Sequence, residues 1–463
     1  MLDATSPARA DAKGIALRDG VIVKAPNEEL QASPSAAMLG HLQVKARPSD
    51  PPQPLSQHGY AMAFEGRIWG NPSPSDPHHA ADIMGRNPAD GIRRLLRHCR
   101  GGFSVVALDH GRILCARDPV GTIPLYLGEG DHAYGITSNR KALWTAGLEA
   151  STMPPGHLAE ISEEGVRLER VKTLEDTDPR EMTMEEAVDD LDTSLAEAVE
   201  DRCKGLFRVS LGFSGGIDST ILAHYMSRTG AEVDLVCVGL EGSAEFEAAE
   251  LAADSLDLPL RLESFTPEDV DRDLDAVLWS IEEPDPMKAG IALPLHWTAR
   301  CAVETGCRVI FSGNGSDELF GGYHRHVREY AEAGGAVRRT LFRDVAGAHS
   351  VNYDRDHKVC ADLGVELRLP YADPGVIRLG LSIPVELKLP SDPGEPRKKV
   401  LRALAERLGL PDEVAYRRKK AVQYSTGVSK ALEAAARRTG RSLPGYLSER
   451  FEKLRETHIG YQP

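Results

Sequence analysis

The stretch Arg208–Phe213, followed at once by Ser214-Gly215-Gly216-Ile217-Asp218-Ser219, constrains this chain more than any other segment. A short, mostly apolar run feeding two glycines and then a helical pattern predicts a buried strand, a tight turn and a helix start. The glycines let backbone N–H groups turn inward and the helix start adds partial positive charge, so the turn is an anion cradle. Ser214, Gly215, Gly216 and Ser219 would line it, the two serines as hydroxyl donors. Asp218 repels a bare phosphate, and its use there requires a bridging Mg²⁺. A GxxxxGK[ST] loop is absent, which speaks against a site built to grip a transferring γ-phosphate.

What surrounds this turn predicts a parallel sheet. Met184, Val188, Leu191, Leu195 and Val199 mark one face of a helix. Strands are expected at 208–213, 233–238, 260–265 and 308–313, with helices from about 218 and over 243–256. Short strands alternating with longer helices give parallel strands with helical faces and a site beyond their carboxyl ends. The strand ending at Ser312 is followed by Gly313-Asn314-Gly315-Ser316-Asp317-Glu318 and Phe320-Gly321-Gly322-Tyr323. Asp317 is therefore expected beside the first loop, sharing one Mg²⁺ with Asp218 against pyrophosphate oxygens. Beyond 320 the chain reads as helical, with nine lysines and arginines between 397 and 420.

The first 170 residues have another texture. Strands are expected over 14–25 with a bend at Asp19-Gly20, and over 59–70, 102–109, 112–118 and 124–128. A helix is expected over 90–99, and the Pro-rich stretches 48–56 and 71–79 read as loops. The expected fold is α/β in two domains, 1–174 and 175–463. Net charge is −15 and pI about 5.5, a mean field that repels nucleic acid and anionic membranes. No apolar run reaches membrane-spanning length, the first residues lack a signal-peptide core, and seven cysteines include no CxxC. A cytoplasmic location is the expectation.

These motifs resemble the asparagine synthetase and β-lactam synthetase family over nearly the whole chain. Besides SGGIDS and SGNGSDELFGGY, the resemblance is carried by 238–252, 355–373, RKKVLR at 397–402 and YRRKKAVQYSTG at 416–427. In the first half it is carried by AFEGRIWG, LCARDPVGTIPLY, ITSNRKAL and PPGH. It implies an Ntn-hydrolase-like glutamine amidotransferase domain followed by an ATP-pyrophosphatase domain with a helical extension. It further implies ATP and Mg²⁺, with a substrate carboxylate attacking the α-phosphate and the acyl-adenylate captured by ammonia or an amine. Val238, Ser312 and Gly313 would face the nucleotide, Lys398 would touch phosphate, and Lys419 would stabilise charge at the reacting centre. A homodimer is compatible with the resemblance.

The chain also departs from that family. Leu2 stands where glutamine hydrolysis needs a cysteine; Glu65 replaces an oxyanion-hole asparagine, and His41 replaces the arginine that clamps the glutamine carboxylate. The first domain is expected to be inactive as a glutaminase. Asn314 stands where the family carries glutamate or tyrosine; it is neutral and orients rather than deprotonates. Glu366 is the family-matched carboxylate for base work, or else a structural partner of Arg368. Lys288 is a candidate anchor for a substrate carboxylate. The expected function is an ammonia-fed, AMP-forming amide ligase. The alternatives are an amine-using or lactam-forming synthetase, a tRNA-modifying pyrophosphatase, or a scaffold.

Overall fold

The structure, a computed structural model, describes residues 12–17, 20–24, 38–131, 133–162, 164–392, 394–417 and 421–460. The chain divides into two compact units: Met1–Leu174 with Ala361–Glu366 and Arg455–Pro463, and Glu175–Cys360 with Leu367–Leu454.

The first unit is built on antiparallel strands. Ala12–Leu17 (β1) and Gly20–Lys24 (β2) pair as a hairpin, with Leu39–Gln43 (β3) on the other side of β1. Leu55–Gln57 (β4), Tyr60–Ile68 (β5), Gly101–Asp109 (β6) and Arg112–Arg117 (β7) form most of a six-stranded sheet. Tyr126–Glu129 (β8), Tyr134–Thr137 (β9) and Glu149–Thr152 (β10) form a small separate one. His157–Ser162 (β11) and Gly165–Arg170 (β12) complete the larger sheet in the order β12-β11-β7-β6-β5-β4. Helices Asp76–Met84 (α1) and Pro88–His98 (α2) share its core, where Met62, Phe64, Phe103 and Val105 meet Ala80, Met84, Ile92 and Leu95. The Phe64 and Phe103 rings stack at 5.6 Å between centroids.

Two Pro-rich stretches behave differently from their expectation. Residues 76–79 open α1 rather than a loop: the Ser75 side chain accepts from the His78 N–H, and Pro77 sits in the first turn. Proline is tolerated there because its missing N–H would have had no helical partner. Likewise β4 starts directly after Pro54, as an edge strand, the one place in a sheet where a neighbouring proline costs little.

In the second unit Met184–Cys203, α4 after the short helix Arg140–Thr145 (α3), starts with a capping box between Thr183 and Glu186. Of its expected face, Val188, Leu191, Leu195 and Val199 are buried and Met184, at the start, is half-buried. There follow Arg208–Gly212 (β13), Ile217–Met226 (α5), Glu232–Leu240 (β14), Ala244–Asp254 (α6) and Leu260–Phe265 (β15). Pro267–Ile281 (α7), Pro286–Glu304 (α8), Val309–Phe311 (β16) and Ser316–Phe320 (α9) come next. A strand the sequence did not announce, Glu366–Arg368 (β17), gives the order β15-β14-β13-β16-β17. β13 pairs in parallel with both β14 and β16. Strand order therefore reverses at β13, and the carboxyl ends of β13 and β16 frame the crevice where parallel sheets bind ligands.

Candidate active site

The loop after β13 takes its shape from Gly215. Its φ is +63°, and a Cβ there would lie 2.2 Å from the Ala248 carbonyl oxygen, so only glycine fits. Gly216 is the N-cap of α5 and supplies no side-chain cap, which leaves first-turn N–H groups for an anion. The Ser214 hydroxyl accepts from the Gly216 N–H at 3.3 Å, and the Ser219 hydroxyl donates to the Gly216 carbonyl at 3.1 Å. Arg417 Nη1 donates to the Ser214 carbonyl at 2.8 Å, a contact that nothing in the basic run singles out.

Beside this loop lies the one after β16. The Ser312 hydroxyl accepts from the Asn314 N–H, and Gly313 faces Asp218 so closely that a Cβ would sit 3.2 Å from the Asp218 Cβ. Ser316 Oγ donates to Asp218 Oδ1 at 2.8 Å. Val238 lies near the carboxyl end of β14, buried and in register with Glu263 of β15.

Lys398 joins the two loops. Its Nζ lies 2.6 and 2.7 Å from the Asp218 carboxylate oxygens, 2.7 Å from Asp317 Oδ1 and 3.0 Å from Ser316 Oγ. Asp218 and Asp317 thus converge on a single cation. Among the described residues no group of three or more His, Cys, Asp or Glu side chains forms a metal cage. Two carboxylates, with phosphate oxygens completing the shell, are what Mg²⁺ ordinarily takes, so this donor set fits the ion.

The other expected residues sit less simply. Asn314 Nδ2 donates to Asp356, which is fully buried and also accepts from Arg355 Nε at 2.7 Å. The amide is thereby held in one orientation. Glu366 groups with the first unit, where Arg67 grips both its oxygens at 2.6–3.1 Å while also binding Asp50 and Asp76. Arg368, its other expected partner, donates to the Arg202 carbonyl. Lys288 Nζ is 2.7 Å from Glu283 Oε1, so its charge is already met. Lys419 lies outside the described residues.

Residues 190–336 and 329–458 match the family described as asparagine synthase, more than half of the chain. The chain belongs to the asparagine synthase family. Members of this family are ATP-dependent ligases that form carbon–nitrogen bonds. A Methanocaldococcus jannaschii protein, provisionally named asparagine synthetase (glutamine-hydrolyzing) 1, is 33% identical over 75% of this chain and 73% of its own length. The Arabidopsis thaliana asparagine synthetase (glutamine-hydrolyzing) 2 is 29% identical over 71% of this chain. The chain spans 59% of that plant protein's length. Residues 42–145 match a glutamine amidotransferase domain. Among solved structures, a Bacillus subtilis glutamine phosphoribosylpyrophosphate amidotransferase with ADP and GMP aligns at 17% identity and a TM-score of 0.33. It covers 56% of this chain and 61% of its own, too loose a likeness to argue from.

Within this asparagine synthase family member, two titratable groups of the first unit are shifted by burial. Burial holds the His41 imidazole down at about 4, so it is neutral at ordinary pH. Burial, then the Glu366 charge, pushes Glu65 up to about 7. Near neutrality Glu65 is about half in the acid form. No described helix is long and apolar enough to cross a membrane.

Proposed function

We propose that this protein adenylates a small-molecule carboxylic acid with ATP and captures the acyl-adenylate with free ammonia, releasing pyrophosphate and AMP. The observation that carries the proposal is the convergence of Asp218 and Asp317 on one cation at the strand-order reversal, beside a glycine turn with no γ-phosphate lysine motif. Such a site grips a leaving pyrophosphate. The substrate carboxylate oxygen attacks the α-phosphorus and pyrophosphate departs. Ammonia then attacks the acyl carbon, AMP departs, and one proton is lost from nitrogen.

In this scheme the first-turn N–H groups of α5 and the hydroxyls of Ser214 and Ser219 hold the pyrophosphate end. Mg²⁺, bound by Asp218 and Asp317, would neutralise the charge that builds on the leaving group. Val238, Ser312 and Gly313 line the nucleotide side, and Lys398 moves onto a phosphate oxygen. Asn314, fixed by Asp356, orients the acyl group or the nitrogen nucleophile. Lys419, by its place in YRRKKAVQYSTG, is assigned the cationic role at the reacting centre. Glu366 receives no proton-transfer role while Arg67 engages both its oxygens. Ammonia rather than glutamine is supported by the neutral imidazole of His41 and by the lost asparagine at Glu65. The pairing of Lys288 with Glu283 weighs against a second substrate carboxylate docking there, so aspartate is not assumed. The expected setting is the cytoplasm, with no nucleic-acid or membrane partner.

The test is pyrophosphate release from Mg-ATP over a panel of carboxylic acids that begins with aspartate, with ammonium or glutamine as nitrogen source. Release with ammonium and one acid, AMP as the nucleotide product and no response to glutamine is the expected result. Glutamate formation matching pyrophosphate release would overturn the ammonia reading. ADP as product would overturn the adenylation reading.

A further inference from the structure

We infer that Lys398 is a built-in counter-cation that excludes Mg²⁺ from the nucleotide-free site and yields to it only when a polyphosphate arrives. The inference rests on the nucleotide reading proposed above and concerns the order in which the site fills. Lys398 is 2% exposed, and its Nζ lies within 2.7 Å of oxygens from both aspartates. Its backbone is left-handed, φ +60°, a conformation a lysine adopts only where the surrounding structure imposes it.

The packing around the ammonium is close. At Gly322 a Cβ would fall 1.7 Å from Asp317 Oδ1 and 2.6 Å from Lys398 Cε, so the bare glycine is what lets carboxylate and lysine approach there. Such a fit suits a defined position of the ammonium rather than a side chain resting in open solvent.

Two cations cannot share this position. Mg²⁺ sits about 2.0–2.1 Å from its oxygens and demands a nearly octahedral shell, whereas the ammonium already occupies the point on which both carboxylates converge. Without a cation the two aspartates repel each other; with the lysine they are neutralised in part and held together. A triphosphate changes the balance because it brings further anionic oxygens. The ammonium then has a new partner, the aspartates are released to the metal, and both cations are satisfied. Metal and nucleotide should enter together, and free Mg²⁺ should not enter alone.

Mn²⁺ binding to the full-length, nucleotide-free protein, followed by the EPR signal of free Mn²⁺, tests this directly. Wild type should retain little Mn²⁺ without ATP. Lys398→Met (K398M) should bind it at least ~10-fold more tightly, since a buried like charge has been removed. The double variant K398M/D218N should lose that gain, which places it at this site. K398Q substitutes where K398M does not fold. One Mn²⁺ per wild-type chain bound as tightly without nucleotide as in K398M would overturn the inference, as would a variant with no gain. If ATP has no effect on Mn²⁺ retention by wild type, the nucleotide reading fails, while the comparison without nucleotide still decides the role of Lys398.

Discussion

Replacing Asp317 with asparagine (D317N) is expected to lower pyrophosphate release by at least ~10³-fold and to leave the fold in place. Asp317 sits in the first turn of a five-residue helix, its side chain 17% exposed and its Oδ1 2.7 Å from Lys398 Nζ. Asparagine keeps the volume and one accepting oxygen. Lys398 keeps both oxygens of Asp218 and the Ser316 hydroxyl, so the lost charge costs about 1–3 kcal/mol, a few °C in a unit of this size. The backbone bond from the Gly322 N–H to the Asp317 carbonyl, 2.8 Å, does not involve the substituted atoms. The chemistry has no such reserve, because a neutral amide neither holds Mg²⁺ firmly nor offsets charge on a leaving pyrophosphate. The neighbouring Glu318 is the structural contrast: it is buried and accepts from the Tyr323 hydroxyl and from Asn352 Nδ2 at 2.7 Å. The measurement is a pyrophosphate-release rate beside a thermal melt. A folded D317N with wild-type turnover would remove the two-aspartate site from the mechanism.

What could be read from the chain before its structure was the chemistry written in consecutive residues. A strand, two glycines and a helix start are local, and the sheet order that brings the β13 and β16 loops together follows from the alternation of strands with helices. The motif RKKVLR marks Lys398 as a phosphate contact, but nothing in it pairs the lysine with carboxylates. Its place between two aspartates depends on a left-handed backbone and on partners 180 and 81 positions away, which no periodicity reports. The Arg67 grip on Glu366 spans 299 positions and is equally silent in sequence. At Ser75-Asp76-Pro77 proline density suits a loop, but Ser before Asp-Pro is also how a helix begins, and here it does. The raised pKa of Glu65 is likewise silent in sequence, since residue type alone carries neither burial nor the field of Glu366.

Burial of a charge that no motif explains gives the second large effect. Lys388→Met (K388M) is expected to stabilise the protein at neutral pH by up to ~4 kcal/mol, and to lose that advantage as pH rises. Lys388 is 1% exposed, and burial alone pushes its ammonium down to about 7. The unfolded chain carries an ordinary lysine near 10.4. Between about 7 and 10.4 the unfolded state therefore binds a proton that the folded state does not, and stability rises with pH through that window. Well below pH 7 both states are protonated and the folded one bears the full burial cost; at pH 7, with the folded lysine about half charged, it bears nearly all of it. Methionine has similar length and no charge to bury, so it removes the cost without opening a cavity. Buried tyrosines and cysteines also titrate in alkali, but the difference between wild type and K388M cancels them. Urea unfolding of both proteins from pH 6 to 10.5 reads this difference. It should be largest at the acid end and close to nil at the alkaline end. A gain of equal size at every pH would assign the effect to methionine packing rather than to a relieved charge. A loss at pH 7 would mean that the ammonium is well partnered where it sits. That second outcome would matter for the site as well, because the Lys388 carbonyl accepts from the Lys399 N–H at 2.9 Å and so anchors the chain next to Lys398.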